Sequence, residues 1–107
     1  MTHYRHGDIS LHSIKELPKK LEQISQGGNF ILAYGEVTGH THRLLEHTQD
    51  QYTVYRDGQG RNILAINKPT PLVHEEHKEI ILQPGFYIQE QEKEYDYFSL
   101  HTVKVSD

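Results

Sequence analysis

Short runs of alternating apolar and polar residues, separated by turn residues, make up most of this 107-residue chain. Side chains two apart on a strand share a face, so this alternation reads as half-buried β-strand. Ile9 and Leu11 alternate with Ser10 and His12 and predict a strand over Asp8 to Ile14. The apolar run Phe30-Ile31-Leu32-Ala33-Tyr34, after Gly27-Gly28-Asn29, reads as a buried strand. Thr38 to Leu45 continues extended, with Gly35 and Gly39 suited to a bulge or a close backbone approach. Gln51 to Arg56 and Arg61 to Ile66 form a hairpin about Asp57-Gly58-Gln59-Gly60. Pro69 and Pro71 mark an irregular passage into Leu72 and Val73. Glu79 to Leu82 is a short strand, Gln83-Pro84-Gly85-Phe86 a turn, and Phe86 to Gln91 and Tyr97 to Val105 the last two strands.

One segment departs from period two. Leu17, Leu21 and Ile24 fall at helical spacing within Lys15 to Gln26, Pro18 suits a first turn, and Gly27-Gly28 suits a stop. A short helix near residues 17–25 is therefore predicted, with a loop around Leu17-Pro18 as the alternative. The pattern as a whole predicts a single all-β domain over residues 1–107, either a small barrel or a compact sandwich. A chain this long buries roughly two-thirds of its unfolded surface. Hydrophobic residues make up only 35% of it, so the core is thin.

The formal net charge of −4 argues against a broad phosphate-tracking surface for duplex nucleic acid. It leaves room for local grip on a small anionic substrate or a short RNA. With no cysteine, any zinc site must use His, Asp or Glu. No apolar run approaches the ~18–20 residues that span a bilayer. The polar start Met1-Thr2-His3-Tyr4-Arg5-His6 lacks an apolar signal region, and the expectation is a cytoplasmic protein with no membrane partner.

Nine histidines are a strong enrichment, and four of them form two tight pairs. His40 and His42 stand in Gly39-His40-Thr41-His42-Arg43; on a strand both project to one face and Arg43 to the other. His74 and His77 bracket Glu75-Glu76, and they converge only on a turn or a single helical turn. The metalloprotease spacing H-E-x-x-H fails, because the required position holds Lys78. His40, His42, His74 and His77 together supply three or four nitrogens to one divalent transition metal, and Glu75, Glu76 or Glu46 an oxygen. Such a set suits Zn, Mn, Fe or Ni. A metal-free arrangement, with one histidine as base, one as acid and Arg43 or Lys78 stabilising charge, is the ribonuclease-like alternative. His3, His6, His12, His47 and His101 read as ordinary surface or partly buried imidazoles. Tyr87, Tyr95 and Tyr97 read as sheet residues, and Glu90, Glu92, Glu94 and Asp96 as a solvated acidic stretch. No glycine-rich phosphate loop or nucleophile elbow occurs.

The segments Gly35-Glu36-Val37-Thr38-Gly39-His40-Thr41-His42-Arg43-Leu44, His74-Glu75-Glu76-His77, Leu82-Gln83-Pro84-Gly85-Phe86-Tyr87 and Lys93-Glu94-Tyr95-Asp96 resemble a family of small bacterial proteins without an assigned activity. The resemblance runs from about Gly7 onward and implies that both histidine pairs belong to one signature. A looser similarity is to cupins, β-barrels whose H-x-H and following glutamate match His40, His42 and Glu46. The cupin pattern departs beyond that, since His74 and His77 precede the Pro84-Gly85 turn. The expected function is a small metal-dependent hydrolase acting on a phosphate-bearing substrate, a nucleotide or short RNA. Arg43 would bind the anion, and Glu75 or Glu76 would orient a histidine or activate water. The alternative class is a non-catalytic module whose histidine pairs hold a structural metal or a partner. Exposed edge strands leave a homo-oligomer open.

Overall fold

The computed structural model describes residues 3–25, 28–34 and 39–91. Its ten strands are β1 (His3–His6), β2 (Ile9–Ile14), β3 (Glu22–Gln23), β4 (Phe30–Tyr34), β5 (Thr41–Leu44), β6 (Tyr52–Arg56), β7 (Asn62–Ile66), β8 (Thr70–His74), β9 (His77–Leu82) and β10 (Gly85–Gln91). They form two antiparallel sheets, one of six strands in the order β1-β2-β10-β7-β6-β3 and one of four in the order β4-β5-β8-β9. The inner faces meet in one core. Ile9, Leu11, Val54, Leu64 and Tyr87 come from the first sheet, and Leu32, Leu44, Leu72 and Leu82 from the second. Each fully buried Leu or Ile contributes about 1.5–3 kcal/mol of transfer free energy.

The architecture is a compact sandwich and not a barrel. The edge strands β1 and β9 approach each other but share no ladder. His6 Nε2 donates to the Lys78 carbonyl at 3.0 Å, and the Gln83 N–H donates to the Tyr4 hydroxyl at 3.2 Å. Side-chain bonds therefore join the two sheets at this edge, and the barrel stays unclosed.

The helix predicted near residues 17–25 is absent. Ile24 packs on the core, its N–H donates to the Val54 carbonyl at 2.9 Å, and Ser25 Oγ accepts from the Val54 N–H at 2.8 Å. An isolated helix this short is marginal in water, whereas the edge of β6 needs partners for its backbone groups, and the segment supplies them through β3. The passage around Pro71 is also more regular than expected. Pro71 lies within β8, where it lacks a donor but accepts from the Leu45 N–H at 3.1 Å. The strand predicted over Tyr97 to Val105 lies outside the described residues, as do Tyr95, Glu92, Glu94, Asp96 and His101. Among the described residues no helix is long and apolar enough to cross a membrane.

Two turns and one bulge position the chemistry. His74 pairs with His77 across the two-residue turn Glu75-Glu76, which joins β8 to β9. Leu72 pairs with Ile80, so two steps along β8 match three along β9, and the extra residue lies at Lys78–Glu79. An unbroken ladder would set Lys78 opposite His74 and turn His77 outward. The bulge brings His77 to the side that holds His74. In the other sheet, β1 and β2 are joined by Gly7-Asp8, closed by the His6–Ile9 pair. Gly7 has φ +65°, the left-handed region that favours glycine.

Candidate metal centre

The β5–β8 register pairs Arg43 with Val73 and Leu44 with Leu72, and its continuation sets His42 across from His74. His74 in turn faces His77 on β9. Three imidazoles thus form a row across the end of the four-stranded sheet, with ring centroids 4.3 Å apart for His42–His74 and 4.6 Å for His74–His77. His40, just before β5, stands 5.6 Å from His74 with its ring perpendicular. A fifth imidazole, His6, reaches in from β1 of the other sheet, 5.0 Å from His42 and 5.5 Å from His77.

Hydrogen bonds fix where the protons sit. A carbonyl can only accept, so the bond to the Lys78 oxygen places a proton on His6 Nε2. Neutral His6 then offers a lone pair at Nδ1. His42 Nδ1, 3.0 Å away, must donate to it. His42 Nε2 is left with its lone pair free for a ligand or a proton. This chain from carbonyl to His6 to His42 is the arrangement that orients a metal-binding imidazole from behind. His74 differs. Its Nδ1 accepts from the Glu76 N–H at 3.0 Å, so the neutral ring carries its proton on Nε2. Ligation through Nε2 would require the proton on Nδ1 and would release the Glu76 N–H.

Burial favours the neutral form of His6, His42 and His74. His42, only 2% exposed, has its pKa lowered to about 4, first by burial and then by His74 and His6, with Asp8 opposing. His6 is lowered mainly by burial, the Lys78 bond opposing, and His74 by burial and then His77. A neutral imidazole is the metal-binding form. The same shifts set the pH response of metal-free protein. The folded-state values lie below the unfolded value of about 6.5, so above that pH the fold feels no effect. As pH falls toward 4 the unfolded chain takes up a proton that the fold resists, and stability is lost. From His42 alone the loss reaches about 2 kcal/mol by pH 5. Urea unfolding at pH 7.5 and pH 5 in the presence of chelator checks this; equal midpoints would contradict it.

One ligand atom from each of His42, His74 and His77 lies within 4.8 Å of the others, and the same holds for His40, His74 and Glu75. Asp8 Oδ1 is 3.7 Å from His42 Nε2. A carboxylate oxygen facing a nitrogen lone pair is repulsive unless a proton or cation lies between them. Gly7 walls the same space. A Cβ there would stand 2.9 Å from His42 Cε1 and His77 Nε2 and 3.3 Å from His42 Nε2, so the edges of both imidazoles abut the bare backbone. The donor set is all nitrogen and oxygen, which fits the borderline and hard divalent ions of the transition series.

A family described as Domain of unknown function (DUF8820) matches residues 5–91. The chain belongs to that family. No curated protein and no solved structure matches it. The DUF8820 segment contains all five clustered histidines together with Asp8, Glu75 and Glu76.

Within the DUF8820 domain His42, His74 and His77 form one group, His40 adjoins it only through His74, and the carboxylates divide. Glu75 accepts from the Thr41 N–H at 3.0 Å and from Arg43 Nη1 at 3.1 Å. Its carboxyl is held below the usual range by the Thr41 N–H, its own N–H and Arg43. Arg43 lies on the face of β5 opposite His42, and its Nη1 also donates to the Thr41 carbonyl at 2.9 Å. It clamps the β8–β9 turn to β5. Glu76 Oε2 lies 3.5 Å from His40 Nδ1. Glu46 is engaged elsewhere, accepting from the Gly28 N–H. Tyr87 is a core residue whose hydroxyl donates to the Gln83 carbonyl at 2.7 Å. Sequence reasoning missed His6 and Asp8. The available signal was Tyr4 and His6 at period two before Gly7-Asp8, a strand running into a glycine-led two-residue turn.

Proposed function

We propose that this DUF8820 domain is a metal-dependent hydrolase whose divalent ion is held by His42, His74 and His77, with Asp8 beside it. The observation that carries the reading is the free lone pair of His42 Nε2 facing the Asp8 carboxylate, beside the nitrogens of His74 and His77. An ion held by these three nitrogens would supply a bound water acidified toward neutral pH for attack on an ester or anhydride. The chain's own residues do the rest. His6 holds the His42 ring, the Gly7 backbone seals one side, and Asp8, its side chain 48% exposed, meets solvent at the mouth. Arg5, whose Nε donates to the Gly7 carbonyl at 3.1 Å, and Lys78, which follows His77 on β9, are the cationic residues next to these ligands in the chain. Together with a bound divalent ion they would suit a small phosphate-bearing substrate, a nucleotide or short RNA.

A second reading has its own observation. The site ties β1 of one sheet to β5, β8 and β9 of the other, as a structural metal would. Metal analysis of tag-free protein, followed by titration of the metal-free form with Zn, Mn and Ni, tests both. Uptake of a transition metal is expected, and hydrolysis of bis-p-nitrophenyl phosphate or a short RNA is expected to vanish with chelator and return with metal. Tight metal uptake without hydrolysis would favour the structural role. Hydrolysis indifferent to chelator would favour acid–base work by His42 and His74 alone. No uptake would overturn the metal site.

A further inference from the structure

His40 Nδ1 is a buried polar atom without a hydrogen-bond partner, and among the described residues it is the one such side-chain atom. A buried nitrogen left without a partner carries its full desolvation penalty. Buried groups of this kind call for an explanation, an ion among them. The surroundings are acidic. Glu76 Oε2 is 3.5 Å from that nitrogen, and a Glu75 oxygen joins His40 and His74 within a 4.8 Å group. Glu75 and Glu76 form the turn that carries His74, so the backbone presents both carboxylates beside the first ion's ligands. Thr41, next to His40, donates its N–H to Glu75, which fixes the carboxylate against β5.

We infer that His40, Glu75 and Glu76 hold a second divalent cation next to the one on His42, His74 and His77. The inference rests on the proposed metal-dependent reading and narrows it. A neutral imidazole serves one ion, and the first position, with two further imidazoles, retains His74. The second position therefore has one nitrogen and carboxylate oxygens, a weaker and harder set that suits Mn or Zn with water completing the shell. Two adjacent ions neutralise a phosphoryl group and stabilise both the entering and the leaving oxygen. The substrate class becomes a phosphate ester. Water forms the new P–O bond, the ester P–O bond breaks with its electron pair on the leaving oxygen, and the proton from water ends on that oxygen. No electron donor or acceptor is required.

The test is calorimetric titration of metal-free protein with Mn and Zn, paired with metal content after dialysis. Two phases are expected in the unmodified protein. His40→Ala and Glu76→Gln are each expected to weaken the second phase at least 10-fold and to leave the first within about 3-fold. Glu76 is 63% exposed in its side chain, so its variant folds even if the His40 variant does not. Phosphodiester hydrolysis should fall in step with the second phase. A single phase in the unmodified protein would overturn the second position while leaving the first intact. Loss of the first phase in either variant would also overturn it, by making these residues ligands of one shared ion. Absence of any phase would remove both positions.

Discussion

His42→Ala is expected to lose tight metal binding altogether. Removing an outer partner of a ligand already costs about 10–100-fold in affinity, and His42 is the ligand itself, with its Nε2 lone pair fixed by His6. The change also opens a cavity where His42 is 2% exposed and strands the Nδ1 of His6. Together these cost about 2–4 kcal/mol of stability with or without metal. Melting temperature alone therefore does not separate catalysis from structure. The comparison that does is unmodified protein with and without chelator. An ion bound at a thousand times its Kd adds about 4 kcal/mol to stability. If the centre is catalytic, metal-free protein remains folded and inactive, and the His42→Ala protein matches it in activity. If the centre is structural, chelator alone unfolds the domain. His47→Ala, at an exposed imidazole outside the cluster, should change neither metal content nor melting. Retention of full metal affinity by the His42→Ala protein would contradict the assignment.

Much of this arrangement was legible in the sequence because strands carry a period that chemistry shares. The apolar alternation of Ile9 and Leu11 in β2 and of Tyr52 and Val54 in β6 marks the core face, and the same period of two sets His40 and His42 on one side of their segment. The hairpin about Asp57-Gly58-Gln59-Gly60 announced itself by turn chemistry, and Asp57 Oδ1 caps it by accepting from Gln59 and Arg61. What escaped was set by neighbours distant in sequence. His77 reaches the cluster through a β9 bulge that its own segment does not encode. Leu17, Leu21 and Ile24 imitate a helix, but the edge of β6 pairs with Glu22 and Gln23, and Ile24 and Ser25 bond to Val54 beyond them. His6 reads in the sequence as an ordinary surface or partly buried imidazole. Only the approach of β1 to β9 gives it the Lys78 carbonyl, and through that bond its role behind His42.

Gly7→Ala carries the second large expected effect, and it separates backbone strain from occupation of the site. At φ +65° an L side chain costs about 1–2 kcal/mol. Gly60 has φ +81° in the hairpin turn, and a Cβ there meets nothing within 4 Å. Gly60→Ala therefore reports the strain alone and should leave metal binding untouched. At Gly7 the added Cβ would lie 2.9 Å from both His42 Cε1 and His77 Nε2, closer than real Cβ contacts come. Something must shift, and the nearest atoms include the ligating edges of two imidazoles. The Gly7→Ala protein should lose the strain energy seen at Gly60 and, in addition, bind the first metal ion about 10–100-fold more weakly, as when a ligand's support is disturbed. Titration of both variants with the same metal reads the difference directly. Equal affinities for the two would mean that the nitrogens of His42 and His77 do not meet an ion beside Gly7, and the metal centre would have to be sought on the His40 side of the row.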